Sequence, residues 1–244
     1  MATLRRVSPA PQPSGWRVWH VGCNVAAPTR TIVDMARQTS GAHERAHWQT
    51  VHKTRDPQSF AWYQETPSIS IELILSFGAD LNSPVIDVGG GSSLLVDHLL
   101  DAGYTDLTVL DISEQALAVA KKRLSLSGDA VEWIAADVTR HPFERTYEVW
   151  HDRAAFHFLT DADGQQRYVD QMRASLLVGG VAIVATFSPD GPEQCSGLPV
   201  QRYSEETLSE LLGDGFRPLR FEREAHATPQ GKVQHFVYGC YQRQ

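Results

Sequence analysis

VIDVGGGSS, residues 85–93, is the stretch of sequence that decides the fold. Its first four residues predict a short buried strand, with Asp87 near its end. The three glycines predict a turn that opens into a helix, and Asp111 follows the next predicted strand. This arrangement is typical of sites that hold a nucleotide-like cofactor by its ribose and its charged tail. It consists of a strand, a glycine turn and a helix, followed by a second strand that also ends in an acidic residue.

The composition is that of an ordinary globular protein, since 42% of the 244 residues are hydrophobic and 21% are charged. This length is enough for one sizeable α/β core. The net charge of −7 argues against a broad nucleic-acid-binding surface, so nucleic acid is not an expected partner. No stretch approaches the ~20 apolar residues of a membrane helix, so no membrane association is expected. Reduced thiols and no metal site are expected, because no CxxC pair occurs among the cysteines Cys23, Cys195 and Cys240.

The first 42 residues differ from the rest of the chain. They carry five arginines against a single acid, Asp34, and four prolines interrupt any long helix. We predict that residues 1–42 form a flexible or loosely docked extension. A mitochondrial targeting segment is the alternative, because such segments are rich in arginine and poor in acids. Without such a role, the protein is expected in the cytoplasm.

Strands and helices alternate from about residue 43 onward. Cap helices are predicted over residues 43–80, before the first strand, and a doubly wound parallel sheet is expected after them. The Gly179-Gly180 pair is expected to end the helix before the fifth strand. The predicted strands are residues 85–88, 107–110, 131–135, 147–150 and 181–187, and predicted helices include residues 44–52, 163–177 and 204–212.

The end of the chain departs from this alternation. Residues 216–224 and 233–241 both have the pattern of strands, and the connection between them contains Gly231 and Lys232. This connection is too short for a crossover helix, so the two strands are expected to pair antiparallel. The predicted fold is therefore α/β, with a mostly parallel, seven-stranded, doubly wound sheet and an antiparallel C-terminal strand.

This ordered set of motifs resembles the class I methyltransferases that use S-adenosylmethionine (SAM), over residues 43–244. DVGGGSS matches their glycine-rich first motif, VLDIS the acidic second motif and IAADV the third. LLVGG and VAIVATF match the turn and the fifth strand, although Ser93 replaces a usual glycine and Val178 a usual proline. The resemblance implies SAM as cofactor and S-adenosylhomocysteine as product. An NAD-binding protein is the rival, but its fingerprint needs a glycine where this chain has Leu94.

The resemblance also assigns roles in holding the cofactor. Asp87 would lie near the methionine ammonium, Asp111 would accept bonds from the ribose hydroxyls, and Asp137 would meet the adenine. Each acid also has a simpler alternative role. Asp87 could be a solvated cap, Asp111 a helix N-cap and Asp137 a turn residue. The helix N-terminus near Ser93 would suit the cofactor carboxylate. The full predicted cofactor set is Asp87, Gly89, Gly90, Gly91, Ser92, Asp111, Ile112, Asp137, Val138, His151 and Trp62.

The segment WHDRAAFHFL, residues 150–159, is expected to leave the sheet beside the reactive methyl group. His151 and His157 are candidate bases, because an unperturbed histidine pKa of about 6.5 suits proton transfer near neutrality. Asp152 is a candidate for holding an ammonium acceptor or orienting a histidine. The segment shares only this aspartate with the Asp-Lys-Gly-Thr motif of some protein-lysine methyltransferases. For the histidines, a structural hydrogen-bonding role is the alternative.

Aromatic residues before the first strand and the loop over residues 188–199 are expected to enclose the acceptor. In related methyltransferases the first of these segments commonly folds over the cofactor, where ring faces attract a sulfonium. The alternative is that these rings belong to the core and hold a cap helix in place. The candidate acceptor contacts are Trp48, Tyr63, Arg153, Tyr203 and His235, and Cys195 is a further one.

The sequence thus predicts a SAM-dependent methyltransferase whose acceptor is a small molecule. A protein-lysine methyltransferase is the second hypothesis, and a non-catalytic SAM-binding module is the third. A monomer or a homodimer is expected.

Overall fold

A seven-stranded sheet forms the centre of the computed structural model, which describes residues 32–77 and 80–244, with side chains from residue 41 onward. The strand order is β3-β2-β1-β4-β5-β9-β8. Strands β1 to β5 pair in parallel, whereas β9 pairs antiparallel with both β5 and β8. The strands of this sheet are β1 Val85–Val88, β2 Leu107–Asp111, β3 Val131–Ala135, β4 Tyr147–Arg153, β5 Leu176–Phe187, β8 Phe216–Ala227 and β9 Val233–Arg243.

The remaining elements flank this sheet. Two short strands, β6 Gln194–Cys195 and β7 Leu198–Pro199, form a separate hairpin after β5. Short 3-10 helices occur at Pro57–Ser59, Ser125–Ala130 and Phe156–Phe158. The α-helices are α1 Ile32–Thr54, α2 Ser68–Phe77, α3 Leu95–Asp101, α4 Glu114–Leu124, α5 Ala162–Ser175 and α6 Glu205–Leu212. The predicted mostly parallel, doubly wound fold with an antiparallel ending is confirmed.

Helices cover both faces of the sheet and create two apolar cores. Helices α2 and α3 contribute Leu73, Ile74 and Leu99 to the first core, and helices α5 and α6 contribute Met172 and Leu208 to the second. Every residue of β1 and of β2 is buried. This explains why these strands are apolar runs without alternation, since a parallel sheet is covered on both sides.

The local geometry differs from the sequence predictions at three places. Helix α5 ends at Ser175 and β5 begins at Leu176, so Gly179-Gly180 lies inside the strand and does not end the helix. A Cβ at Gly180 would come within 2.8 Å of the Glu148 carbonyl oxygen, which explains a glycine there without a helix end. Helix α3 begins only at Leu95, and Ser93 Oγ accepts a hydrogen bond from the backbone N–H of Leu95 at 3.1 Å.

The third difference lies at the start of the described chain. Helix α1 runs from Ile32 to Thr54, and so it is longer than the predicted helix and crosses the predicted boundary at residue 42. Residues 1–31 lie outside the described residues, so the flexible or targeting extension stays a prediction. Within the described ranges, no helix is long and apolar enough to cross a membrane.

Candidate active site

A cleft opens at the carboxyl ends of β1, β2 and β4, which is where open parallel sheets bind their ligands. The register of the sheet brings Asp87 and His151 side by side, because Asp87 on β1 pairs with His151 on β4 and with Val109 on β2. The predicted site residues that line the cleft are Trp48, Trp62, Tyr63, Asp87, Gly89, Gly90, Gly91, Ser92, Asp111, Ile112, Asp137, Val138, His151, Arg153 and Cys195.

The glycine turn forms a cleft floor that admits no side chain. Gly89 has a φ of +70° and Gly91 a φ of +45°, a backbone region that other residues rarely adopt. A Cβ at Gly89 would come within 2.4 Å of the Ala155 Cβ, and one at Gly91 within 2.7 Å of Asp111 Oδ2. Only bare backbone fits at these two positions.

Asp111 is a buried carboxyl at the end of β2. Its Oδ1 accepts a bond from the Ser113 backbone N–H at 2.7 Å, and its Oδ2 stands against Gly91. Burial raises the pKa of Asp111 to about 7. Ser113, not Asp111, caps helix α4, since Ser113 Oγ accepts from the Ala116 backbone N–H. The helix-cap alternative for Asp111 is therefore wrong.

His151 lies between two polar partners in the lining of the cleft. Its Nδ1 is 2.7 Å from Asp87 Oδ1, and its Nε2 is 2.9 Å from Ser70 Oγ. All three side chains are buried. Because both ring nitrogens are engaged, His151 is fixed in place and neither nitrogen is left to contact an acceptor. Ser70 was not predicted from the sequence.

Asp137 combines a turn role with a place in the cleft wall. Its Oδ1 accepts bonds from the Thr139 backbone N–H at 2.9 Å and from the Thr139 hydroxyl at 2.7 Å. Its Oδ2 is 3.5 Å from Arg140 Nε. The turn alternative is therefore correct, and contact with an adenine stays a prediction.

Aromatic rings form part of the cleft lining, which we call the aromatic wall: Trp48, His52, Phe60, Trp62 and Phe158. Phe60 and Trp62 are stacked with centroids 4.5 Å apart, and Trp48 meets Phe158 edge-on at 5.0 Å. Burial lowers the pKa of His52 to about 4, so its ring is neutral near pH 7. His52, Phe60 and Phe158 were not predicted, although the i, i+4 spacing of Trp48 and His52 on a helix places both on one face.

Arg153 lines the cleft but is held by the protein. Its guanidinium donates to the Tyr238 hydroxyl at 2.8 Å, to Glu224 at 3.1 Å and to the Trp62 carbonyl at 3.2 Å. It also lies over the Phe236 ring, 4.3 Å from the centroid. Arg153 therefore anchors the segment over residues 55–67, which we call the strap, across the sheet.

Helix α1 is attached to the loop after β2. Arg45 donates to the Ile112 carbonyl at 3.1 Å, and Gln49 Oε1 accepts from the Ser113 hydroxyl at 3.3 Å and the Gln115 backbone N–H at 3.0 Å. These contacts place Trp48 over the cleft. They were not predicted, because they join residues more than 60 positions apart in the sequence.

Known proteins resemble the chain in this same region. A family model described as "Methyltransferase domain" matches residues 85–180, which contain the glycine turn, Asp111, Asp137 and His151. This matched region is a SAM-dependent methyltransferase domain of class I. Its cofactor is accordingly SAM.

Individual relatives of this methyltransferase are distant. The "eEF1A lysine and N-terminal methyltransferase" of Bos taurus is 29% identical over 143 residues, which are 55% of this chain and 20% of the relative. The chain thus spans about a fifth of the length of the curated relatives it matches.

Two solved structures show the same fold. One, described as "Conversion of a Disulfide Bond into a Thioacetal Group during Echinomycin Biosynthesis", has a TM-score of 0.68 at 17% identity and covers 83% of this chain and 92% of its own. The other is the Burkholderia thailandensis 1,6-didemethyltoxoflavin-N1-methyltransferase with bound 1,6-didemethyltoxoflavin and S-adenosylhomocysteine. It has a TM-score of 0.62 at 19% identity and covers 90% of this chain and 93% of its own.

The cleft of this methyltransferase fits the family's cofactor. The bare floor at Gly89 and Gly91 leaves room for a ligand against the backbone, and the buried carboxyls of Asp87 and Asp111 stand at its two sides. Asp111 would accept the ribose hydroxyls, Asp87 would receive the ammonium, and Asp137 with Val138 would meet the adenine. Within the described ranges, no group of three or more His, Cys, Asp or Glu side chains could hold a metal ion.

Asp152 lies outside the cleft, which corrects the role predicted for it. Strand β4 extends to Arg153, so side chains alternate and Asp152 faces away from His151 and Arg153. Its carboxyl accepts bonds from the Ala155 and Phe156 backbone N–H groups and from the Tyr168 hydroxyl. Burial raises the pKa of Asp152 to about 6. Asp152 fixes the turn after β4 and does not reach an acceptor in the cleft.

Three further candidates also lie away from the cleft lining, which corrects their predicted roles. His157 is fully buried, and burial lowers its pKa to about 3, so it is a poor base near neutrality. The Tyr203 hydroxyl accepts a bond from Gln165 Nε2 at 3.0 Å, and the ring stacks on Phe156. His235 is exposed on β9. Cys195 does line the cleft, but burial raises its thiol pKa to about 12, which keeps it protonated.

Proposed function

We propose that this methyltransferase transfers the methyl group of SAM to a small, largely apolar acceptor that binds against the aromatic wall. The observation that carries the proposal is the aromatic lining of the cleft, to which helix α1 and the strap both contribute rings. An apolar pocket with few polar groups suits a small ring-containing molecule. Arg153 holds the strap in place through its bond to the Trp62 carbonyl, which keeps the rings of the strap at the cleft.

SAM supplies an activated methyl group on a sulfonium. The protein residues then have to hold the cofactor, orient the acceptor and exclude water. In this proposal Asp87, Asp111 and Asp137 hold the cofactor, and Trp48 and Trp62 orient the acceptor. Correct orientation alone can lower such a barrier by roughly 7–11 kcal/mol in favourable cases.

The histidines of the cleft favour an acceptor that needs no strong base. Both nitrogens of His151 are engaged, and His52 is a weak base because burial lowers its pKa to about 4. We therefore propose an uncharged nitrogen or sulfur as the methylated atom. The similar fold of a methyltransferase named for a ring nitrogen, N1 of 1,6-didemethyltoxoflavin, is consistent with this chemistry.

A protein lysine is the second candidate acceptor. It is favoured by the name of the curated relatives, which methylate lysine and the N-terminus of eEF1A. An aromatic wall also attracts ammonium groups by cation–π contact. It is disfavoured by Asp152, the carboxyl that was expected to face the ammonium, because Asp152 lies outside the cleft.

The test is to incubate the full chain with methyl-labelled SAM and a cell extract, and then to separate proteins from small molecules. Label in the small-molecule fraction, lost with Asp111→Ala, is the expected result. Label in the protein fraction would replace the proposal with the lysine candidate. Label in neither fraction, with SAM still bound, would favour a non-catalytic SAM-binding module.

The cellular setting is a separate proposal. We propose a cytoplasmic monomer or homodimer, with mitochondria as the alternative if residues 1–42 act as a targeting segment. Imaging of the full chain and of a chain without residues 1–42, each fused to a fluorescent protein, separates the two locations.

A further inference from the structure

A buried hydrogen-bonded chain joins helix α2 of the cap to the acid on β1. Ser70 on α2 is 2.9 Å from His151 Nε2, and His151 Nδ1 is 2.7 Å from Asp87 Oδ1. Ser70 is 1% exposed, His151 2% and Asp87 5%. All three residues line the cleft, so the chain connects the cap to the cofactor floor.

The chemistry of the partners fixes the direction of these bonds. A carboxylate only accepts, so His151 Nδ1 carries the proton that it donates to Asp87. In the neutral ring, Nε2 then accepts from the Ser70 hydroxyl. Asp87 therefore selects the tautomer, and Ser70 holds the imidazole in its orientation, as groups behind metal-binding histidines do.

The Asp87 carboxyl is held by the bond from His151 to its Oδ1. Its Oδ2 faces the glycine turn, where a Cβ at Gly90 would come within 2.4 Å of it. Rotation of the carboxyl would break the bond to His151. The remaining lone pairs of Asp87 consequently point in a fixed direction at the carboxyl end of β1.

We propose that Ser70 and His151 are positioning residues that aim Asp87 at the amino-acid end of SAM. The proposal rests on the SAM site of the proposed function, but not on the acceptor or on turnover. It makes a specific claim about which part of the ligand is affected. The adenosine end would be held by Asp111 at the end of β2 and by Asp137 in the loop after β3, so binding of that end should not depend on Ser70 or His151.

Calorimetry with two probes tests this claim on the full chain. S-adenosylhomocysteine carries the amino-acid end, whereas 5′-methylthioadenosine lacks it. His151→Phe should raise the Kd of S-adenosylhomocysteine by about tenfold or more, because it removes a hydrogen bond to a charged group. The Kd of 5′-methylthioadenosine should change by less than about threefold, which is below 1 kcal/mol.

Two milder variants keep the test decisive if His151→Phe does not fold. His151→Asn retains an amide N–H that can donate to Asp87, so it should restore part of the lost affinity. Ser70→Ala frees the ring and should weaken S-adenosylhomocysteine selectively, by less than His151→Phe does. Asp111→Ala is the matched control, since it should weaken both probes.

Equal losses for the two probes in His151→Asn and Ser70→Ala would overturn the proposal, because they would mark a general structural role. Unchanged affinity for S-adenosylhomocysteine in these variants would also overturn it. If the wild-type chain bound neither probe, the SAM site itself would fail, and the proposal would fail with it. A selective loss that Asn partly restores supports it.

Discussion

Gly89 shows how a single residue shapes the cofactor floor. Its φ of +70° and the 2.4 Å approach of a would-be Cβ to Ala155 leave no room for a side chain. Positive φ alone does not make a site, because Gly231 has a φ of +77° with nothing within 4 Å of its would-be Cβ. The close contact with Ala155 distinguishes the two glycines.

Gly89→Ala is therefore expected to lower the free energy of unfolding more than Gly231→Ala does. Both substitutions incur backbone strain of about 1–2 kcal/mol, and only the first adds a steric clash of about 1–3 kcal/mol. Urea unfolding measures this difference, and calorimetry should show lost SAM affinity for Gly89→Ala alone. Equal effects of the two substitutions on both quantities would contradict the role of the floor.

Asp111 gives the ligand-free protein a pH dependence. Its folded pKa of about 7 lies above its usual value of 3.8, so the folded state binds the proton more tightly than the unfolded state. This tighter proton binding by Asp111 stabilises the folded state. Its contribution to the free energy of unfolding is fully present below about pH 4 and is lost as the pH rises through about 7.

Asp111→Asn should therefore reduce the fall in unfolding free energy between about pH 5 and about pH 8. Urea unfolding of both proteins without ligand, at these two pH values, measures the change. Asp111→Glu keeps a carboxyl and should retain the dependence. If wild type and Asp111→Asn lost the same stability over this interval, the carboxyl would not be the titrating group.

Asp152 shows where prediction from sequence stops at the residue scale. The sequence correctly places residues 150–159 beside the cleft, and it brings His151 and Arg153 into the cleft lining. It did not indicate that β4 continues to Arg153. That extension decides by alternation that Asp152 faces the opposite side. The face on which a residue lies thus depends on whether the strand continues to that residue. The local sequence pattern does not define the ends of strands well.

At the scale of elements, the strap is fastened to the β8–β9 hairpin. Gln64 donates to Glu224 at 2.6 Å, the Ala61 carbonyl accepts from His226 at 2.9 Å, and the Ser59 carbonyl accepts from Gln230 at 2.6 Å. Glu224 also forms a nearly buried ion pair with Arg153 at 3.1 Å. The antiparallel hairpin therefore serves the site by holding its cover in place.

Glu224→Gln should loosen the strap and lower the free energy of unfolding by about 3 kcal/mol, because it leaves the Arg153 charge without its partner in a largely buried setting. Glu222→Gln is the matched control, since Glu222 pairs with Arg220 at a more exposed site. Hydrogen exchange over residues 55–67 should speed up in the first variant only. Unchanged exchange in Glu224→Gln would show that the strap is held by other contacts.

The elements themselves were largely predictable. Apolar runs such as residues 85–88 and 181–187 are strands because parallel sheets bury both faces. Helix α6 also lies where it was predicted, except that Ser204, the first residue of the predicted helix, is its N-cap. The Gly179-Gly180 pair misled the prediction, because glycines also occur where a neighbouring backbone approaches closely. Close approach to the Glu148 carbonyl is the reason at Gly180.

At the scale of the whole molecule, the fold and the place of Asp87, Asp111 and Asp137 in the cleft followed from ordered motifs, whereas the bonds that hold the aromatic residues over the cleft did not. Trp48 and Trp62 were expected to cover the site, but the bonds that place them come from Arg45, Gln49 and Arg153. These bonds join distant parts of the chain. The sequence of any one segment does not predict them, so they are seen only in the folded structure.

The central claim is that the cleft above the glycine turn binds SAM, and calorimetric titration of SAM into the full chain tests it most directly. We predict one saturable site per chain, weakened by about tenfold or more in Asp111→Ala, because that variant removes the buried carboxyl that would bond the ribose hydroxyls. Absence of saturable binding to the wild-type chain, or equal affinity of wild type and Asp111→Ala, would contradict the claim.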